Sequence, residues 1–409
     1  MRLHLAHGSP ALGDRGGTEL YADALVRSQP GAQLLAPDRG GPAGLRRIND
    51  HTWAVGVSTA TRFRDTWSRP EVASAVAQLA PELVHAHHFA HVGLDALAGV
   101  DCPLVLSLHD YHLICVRGQL MDRDVLPCSG PSLKKCGACV AEHLALVPAM
   151  GPLGKLSRAL GVHELAKGLV ARAGPSPAGL DDLSGRMEAG RQILARAQVL
   201  LSPSRDLAQR VNHLGPNKAI EVLDLPLVAP LSPAPPPGSG PLRVLFMGAL
   251  IPSKGLHLLI QAADALPALE LQVWGPTPVY DADPDYGQRC TKALGARYGG
   301  VFDTERRQEI LDGSDLLVVP SIWEENSPLV VREALAAGVR VVASDRGGIA
   351  EIDTRIQCFP GGDLGALRDL LREQIAQGRG RWSPRDFSMS AHLLALEDVY
   401  QRARAAWLR

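Results

Sequence analysis

The chain has 409 residues, with 42 Lys+Arg against 43 Asp+Glu and a formal net charge of −1. That balance excludes a generally basic nucleic-acid binder, so no nucleic-acid partner is expected. A composition of 46% hydrophobic and 21% charged residues excludes wholesale disorder.

The length predicts two or three domains, each able to bury a core. No apolar run approaches the ~18 residues of a membrane span. The start MRLHLAHGSP lacks a sustained apolar stretch and makes a poor signal peptide. The expected location is the cytoplasm, with peripheral contact at the inner face of the membrane as its extension. The 7 Cys are an odd number, which fits reduced thiols better than a disulfide framework.

Short apolar runs alternate with helix-like stretches. Strands are predicted at Arg2–His7, Gln33–Ala36, Leu83–His87, Leu104–Leu108, Val199–Ser202, Leu242–Met247, Leu269–Trp274, Leu316–Val319 and Arg340–Ala343. Several are continuous rather than alternating, as strands covered on both faces read. Intervening helices make parallel β-α-β sheets the expected α/β class. The Gly/Pro-rich stretch Gly174–Leu180 reads as a loop. Pro226–Pro241, PLVAPLSPAPPPGSGP, is too rich in proline for helix or central strand and reads as a semi-stiff linker. Residues 1–225 and 242–389 are therefore expected as two α/β domains. Ser390–Arg409 reads as a helix packing back on the first.

Local motifs follow in chain order. In HGSPALGDRGGTELYADALVRS a strand ends near His7, and Gly16-Gly17 precedes a helix with Thr18 as N-cap. Glycines there let backbone approach an anion, although the pattern is not a dinucleotide fingerprint and a simple turn is the alternative. His85, His87, His88 and His91 crowd the next strand end. Their spacing matches no recognised metal motif, so lining a cleft is preferred to holding a metal.

Cys115, Cys128, Cys136 and Cys139 follow, with a Cys-x2-Cys pair. They suit a tetrahedral structural zinc, with reduced unligated thiols and an iron–sulfur cluster as alternatives. After the linker, LRVLFMGALIPSKGLHLLIQAADAL is a strand ending at Met247 and Gly248, then an amphipathic helix. Lys254 lies in the loop between, where it can neutralise a diphosphate.

The most informative stretch is DLLVVPSIWEENSPLVVREALAAGVRVVAS. A buried strand runs into a loop, Ser327 stands at the N-cap and Pro328 at the first helical position, and Gly338 stops the helix. This is a β-α-β unit whose loop sits where open parallel sheets bind ligands. The N–H groups of Leu329 and Val330 can hold a diphosphate. Glu325 can accept hydrogen bonds from sugar hydroxyls and Glu333 from ribose hydroxyls. Either Glu alone reads equally well as a solvated charge.

The segment from Glu325 to Glu333, with its Glu-Asn-Ser-Pro-Leu-Val-Val, closely resembles the Glu-x7-Glu donor signature of retaining GT-B glycosyltransferases of family four. The resemblance covers most of the chain and is most specific from Leu242 to Ser344. It implies two Rossmann-like domains facing across a cleft, the second binding a nucleotide-diphosphate sugar such as a UDP- or GDP-sugar. The first would bind a glycan or lipid-linked acceptor.

The resemblance further implies that Glu325 with its neighbours Asn326 and Ser327 lies near the transferred sugar and Glu333 near the ribose. Gly16 and Gly17 would line the cleft, and His109, in SLHDYHLIC, would touch the donor sugar. Lys254 matches one half of the family's basic pair, while Ala249 stands where the Arg is usual. Gly275, in LQVWGPTP, would sit beside the nucleotide, and the backbone of YGGVFDTERRQEIL would read the base. No catalytic metal is implied. Two rival functions are a nucleotide-sugar epimerase of the same fold and a non-catalytic nucleotide-sugar-binding scaffold.

Overall fold

Two groups of apolar runs, separated by the Pro226–Pro241 segment, build two sheets. The computed structural model describes residues 1–14, 16–58, 63–122, 125–140, 177–215, 217–280, 283–303 and 305–409. The first sheet comprises β1 (Arg2–Leu5), β2 (Ala32–Arg39), β3 (Gly44–Arg47), β4 (Thr52–Val57), β5 (Leu83–Ala86), β6 (Leu104–Ser107), β7 (Val199–Ser202) and β8 (Ile220–Val222). Its spatial order is β3-β4-β2-β1-β5-β6-β7-β8. The pairings are parallel except for the antiparallel β3–β4 pair.

The second sheet comprises β9 (Leu242–Met247), β10 (Leu269–Trp274), β11 (Tyr298–Gly300), β12 (Leu316–Val319), β13 (Arg340–Ser344) and β14 (Gln357–Phe359). It runs β11-β10-β9-β12-β13-β14, parallel throughout. Every residue of β5, β6, β7, β12 and β13 is buried, as continuous apolar strands covered on both faces require. The α/β expectation with two parallel-dominated sheets is met.

Sequence reading missed β3, β4, β8, β11 and β14. Four of these have only three or four residues, and β4 is interrupted by Thr52 and Gly56. The loop expected at Gly174–Leu180 gives way to a helix, Pro177–Arg196; residues 174–176 lie outside the described residues. A proline is tolerated at that first position because its missing N–H would be unpaired there anyway.

The Pro-rich segment lies against the second sheet. Leu227, Leu231 and Ala234 pack on its apolar core, and Ala234 N–H donates to the Ala337 carbonyl at 2.8 Å. The C-terminal helix, Met389–Trp407, instead joins the first sheet. Its Leu396, Val399, Tyr400 and Ala403 pack with Leu83, Val105, Val199 and Leu201.

Under this helix lies a buried imidazole group. His4 on β1 is the register partner of His85 on β5, and His87, two residues on, keeps to the same face. His4 Nδ1 and His87 Nε2 are 2.9 Å apart. His85 bonds Tyr400 Oη and Ser107 Oγ, both at 2.8 Å. Among the described residues this is the one trio of metal-capable side chains with ligand atoms within 4.8 Å of one another. Burial, reinforced by Arg2 and by the neighbouring rings, holds all three pKa values well below the ordinary histidine range. The rings are neutral core histidines, which corrects the cleft-lining expectation for His85 and His87.

Several contacts join the two halves, among them a helix cap and a buried arginine. The Glu351 carboxylate accepts the Arg205 and Asp206 N–H groups at 2.7 and 2.8 Å, capping the Arg205–Leu214 helix from the other half of the molecule. The fully buried Arg332 donates from Nε to the Leu225 carbonyl at 2.9 Å.

Leu396 is 0% exposed, so Leu396→Ala is expected to cost about 2–5 kcal/mol. A urea titration should show this as a lower midpoint at nearly unchanged slope.

Candidate functional site

The loop after β12 carries Glu325 and is clamped by close backbone approaches. At Gly255, φ is +67° and an added Cβ would stand 1.9 Å from the Pro320 carbonyl. At Gly347, φ is +71° and a Cβ would stand 2.0 Å from the Glu325 carbonyl. Only glycine fits such contacts. That carbonyl also accepts the Gly348 N–H at 2.7 Å.

Glu325 is thereby held 3% exposed. Its Oε1 accepts from Lys254 Nζ at 2.6 Å and from Ser321 Oγ at 2.6 Å. A buried carboxylate without such partners would cost several kcal/mol. Lys254 belongs to the short 3-10 turn Pro252–Lys254. Its ammonium also lies 5.1 Å from the Trp323 ring centroid. The Ser253 carbonyl accepts the Ile322 N–H at 2.9 Å, so the lysine turn and the glutamate loop are stitched together.

The helix that follows spans Leu329–Ala336, with Pro328 as its N-cap at φ −65°, ψ 126°. This corrects the placement of the cap at Ser327. Proline's preset φ suits the half-helical cap position, and the Ser327 hydroxyl is buried with no hydrogen-bond partner. The helix start has no side-chain cap, so the Leu329 and Val330 N–H groups carry its positive end.

Asn326 reaches across to the first sheet, its Nδ2 donating to the His109 carbonyl at 2.8 Å. Gly17, Thr18, His109, Trp323, Glu325, Asn326, Ser327 and Leu329 line one cavity of about 200 Å³ between the sheets. His109, just past β6, is pushed down to about 4 by burial, so its ring is neutral at neutral pH. Its Nε2 is buried without a partner.

Gly17 faces the second sheet directly, since a Cβ there would meet Leu329 Cδ1 at 3.5 Å. Gly16 does not line the cavity. It is the N-cap of the Gly17–Ser28 helix, which therefore begins before Thr18, the cap expected from sequence. The Gly16 carbonyl accepts the Leu20 N–H at 3.1 Å and closes the first turn without a hydroxyl.

Glu333 lies one turn into its helix, away from that cavity and 4% exposed. Its Oε1 pairs with Arg307 Nη1 at 2.7 Å. Burial raises the Glu333 carboxyl above its ordinary range, and Arg307 offsets part of that shift. Gly248 and Gly275 come together at the ends of β9 and β10. Both have φ near +150°, and a Cβ on Gly275 would be 1.9 Å from the Gly248 carbonyl.

The four-cysteine zinc expectation is not supported. Among the described residues no three of Cys115, Cys128, Cys136 and Cys139 bring sulfur atoms within 4.8 Å, and all are free thiols. Cys115 is absorbed into the apolar core of the first sheet. Cys136 packs beside Phe63, Val140 and Leu183. Cys128 Sγ donates to the Gly130 carbonyl at 3.5 Å. Burial raises the Cys136 and Cys139 pKa values, which keeps both thiols protonated.

Several site residues escaped sequence reading. Trp323 and Ser321 lie inside the quoted loop but carry no local mark of their role. Arg307, in the quoted TERRQEIL, meets Glu333 only through folding. On the first sheet, His7 Nε2 pairs with Glu19 Oε1 at 2.5 Å and His88 Nε2 with Asp110 Oδ2 at 2.7 Å. The His7 and His88 ring centroids are 3.8 Å apart, so the two pairs form one half-buried chain.

Residues 241–375 match the family model described as Glycosyl transferases group 1. Glycogen synthase of Mycobacterium tuberculosis is 29% identical over 184 residues, covering 41% of this chain and 44% of that protein. The chain thus spans less than half the length of that relative. Sucrose-phosphate synthase of Thermosynechococcus elongatus superposes with a TM-score of 0.64 at 16% identity, covering 99% of both chains. Anabaena HepE in complex with UDP and glucose superposes with a TM-score of 0.56 at 15% identity, covering 99% of this chain and 92% of that one. Both likenesses show the fold, which is GT-B.

The His88–Asp110 pair has a testable pH signature. Burial alone would lower the His88 pKa, but the Asp110 charge and hydrogen bond outweigh it and hold His88 above 6.5. Burial alone would raise the Asp110 carboxyl, but His88 holds it well below 3.8. The histidine's contribution to stability is complete below 6.5 and is lost as pH rises through its folded value. The carboxylate's contribution is complete above 3.8 and is lost as pH falls through its folded value. The melting-temperature advantage of wild type over His88→Gln should therefore peak between those limits and shrink at alkaline pH. A constant difference across the range would contradict the ion pair.

Proposed function

We propose, from the match of residues 241–375 to the Glycosyl transferases group 1 model, that the chain is a retaining glycosyltransferase. It moves a sugar from a nucleotide-diphosphate sugar to a glycan or lipid-linked acceptor. The observation that carries this reading is the buried Glu325–Lys254–Ser321 cluster beside an uncapped helix start, opening on the cavity between the sheets.

In this reading residues 242–389 form the donor domain and residues 1–225 the acceptor domain, joined by the 226–241 linker. The donor is a UDP- or GDP-sugar; the UDP-bound state of the structural neighbour HepE favours UDP. Glu325 accepts hydroxyls of the transferred sugar, and Asn326 and Ser327 complete that wall. Glu333 accepts from the ribose, with Arg307 setting its charge. Gly248 and Gly275 let the nucleotide approach the strand ends. His109 presents a neutral imidazole to the sugar.

As the acceptor hydroxyl oxygen bonds to the anomeric carbon, the bond to the diphosphate breaks, its electron pair goes to the leaving oxygen, and that oxygen takes up the acceptor's hydroxyl proton. Lys254 and the N–H groups of Leu329 and Val330 stabilise that charge. No protein nucleophile is assigned. With Ala249 in place of the second basic residue, more of this stabilisation falls to Lys254. No helix among the described residues is long and apolar enough to cross a membrane. The proposed setting is cytoplasmic, with peripheral membrane contact for a lipid-linked acceptor.

Hydrolysis and binding should be screened over UDP-, GDP-, ADP- and TDP-sugars. One donor is expected to bind and slowly release its nucleotide with wild type. Glu325→Ala should keep the fold and reduce turnover by about 10²-fold or more. Lys254→Ala should slow release of the leaving group by about 10²–10³-fold, read as kcat. Binding without turnover, even with acceptor extracts added, would instead favour a nucleotide-sugar-binding scaffold.

A further inference from the structure

A second and larger cavity, of about 340 Å³, lies beside the first. Its lining includes His91, His112, Arg117, Gln119, Arg186 and Tyr280, and no described lining residue is an Asp or Glu. The segment after β6 serves both cavities, His109 lining one and His112 the other. Tyr280, from the loop after β10, donates its hydroxyl to Gln119 Oε1 at 3.1 Å, so the cavity lies between the two halves of the molecule. Phe63, Val116, Val140 and Val279 supply apolar wall.

Several polar groups of this cavity lack partners. Arg186 is 2% exposed. Its Nη2 donates to the carbonyls of His112 and Cys115, while its Nη1 is buried with no partner. Arg117 forms no ion pair or hydrogen bond among the described residues. His91 adopts the left-handed region at φ +60°, unusual for a non-glycine residue, and its Nδ1 is also buried without a partner. Asp110, whose charge reaches Arg186 and His112, is committed to His88. Two guanidinium groups without a carboxylate, one of them desolvated, form a receptor for a planar or tetrahedral oxyanion.

We propose that this cavity takes the acceptor and that Arg117 and Arg186 bind an oxyanion on it, a phosphate or carboxylate carried by the acceptor sugar. The apolar wall covers the faces of the ring, and Gln119 and Tyr280 meet its hydroxyls. The proposal rests on the glycosyltransferase reading and adds to it the charge class of the acceptor.

The test titrates hexose phosphates, hexuronates and the matching neutral hexoses into wild type, Arg117→Ala and Lys254→Ala, each with and without saturating UDP or GDP. Binding is read by calorimetry and thermal shift. Anionic sugars are expected to bind at least tenfold more tightly than neutral ones, and whether phosphate or carboxylate is preferred identifies the oxyanion. Arg117→Ala should remove that preference, because a charged hydrogen-bond partner is lost. Lys254→Ala and added nucleotide should leave it intact.

Arg117 is only partly buried, so its variant should fold; Arg117→Lys should restore part of the affinity. No preference for anionic sugars, a preference unchanged in Arg117→Ala, or one abolished by Lys254→Ala or by nucleotide would overturn the proposal. Nucleotide binding in the same titrations reports separately on the donor site, so failure of one reading does not pass for failure of the other.

Discussion

A buried carboxylate cannot stand alone, and the arrangement around Glu325 follows from that constraint. Oε1 of Glu325 receives both the Lys254 ammonium and the Ser321 hydroxyl. To deliver the ammonium, the turn after β9 must dock on the loop after β12, which the Ser253 carbonyl secures by accepting the Ile322 N–H. To let the backbones meet so closely, Gly255 and Gly347 must take positive φ with nothing at Cβ. The cost of desolvating one charge is thus distributed over two loops of the parallel sheet. The result is a charged pair held at the mouth of the cavity, already oriented before any ligand arrives.

The second constraint is the seam between the sheets. The C-terminal helix follows the second sheet in the chain but buries its apolar face on the first. The Glu351 carboxylate caps a helix of the first half, and Asn326 donates to the His109 carbonyl. These contacts set the spacing at which Gly17 meets Leu329. Both cavities open at that seam, where loops from the strand ends of the two sheets face each other.

Much of this was readable from local pattern. The apolar runs at Val199–Ser202 and Leu316–Val319 coincide with strands end to end because burial on both faces leaves little polar character to blur them, whereas Leu269–Trp274 coincides through alternation, with Glu270 and Gln272 exposed. Edge strands such as Gln357–Phe359 are short and largely exposed, so they carry no such signal. Helix caps moved by one residue from Ser327 to Pro328 and by two from Thr18 to Gly16, where backbone conformation rather than a hydroxyl makes the cap. The cysteines do gather in space, since Cys115, Cys128 and Cys139 all act on the Cys136 thiol, but among the described residues no three sulfurs lie within 4.8 Å of one another. Three of these sulfurs are occupied by core packing or a local carbonyl contact.

By itself the sequence determined the α/β alternation, the loop from Glu325 to Glu333 and the lysine turn before its helix, since each is written in neighbouring residues. The tertiary structure alone decided which charges meet. Lys254 and Glu325 are 71 positions apart, Arg307 and Glu333 are 26, and Asn326 and His109 are 217. It also decided that His85 and His87 belong to the core while His109 and His112 line cavities. The reason is physical: propensity and periodicity act over a few residues, whereas burial and charge pairing depend on which distant surfaces the packed sheets bring together.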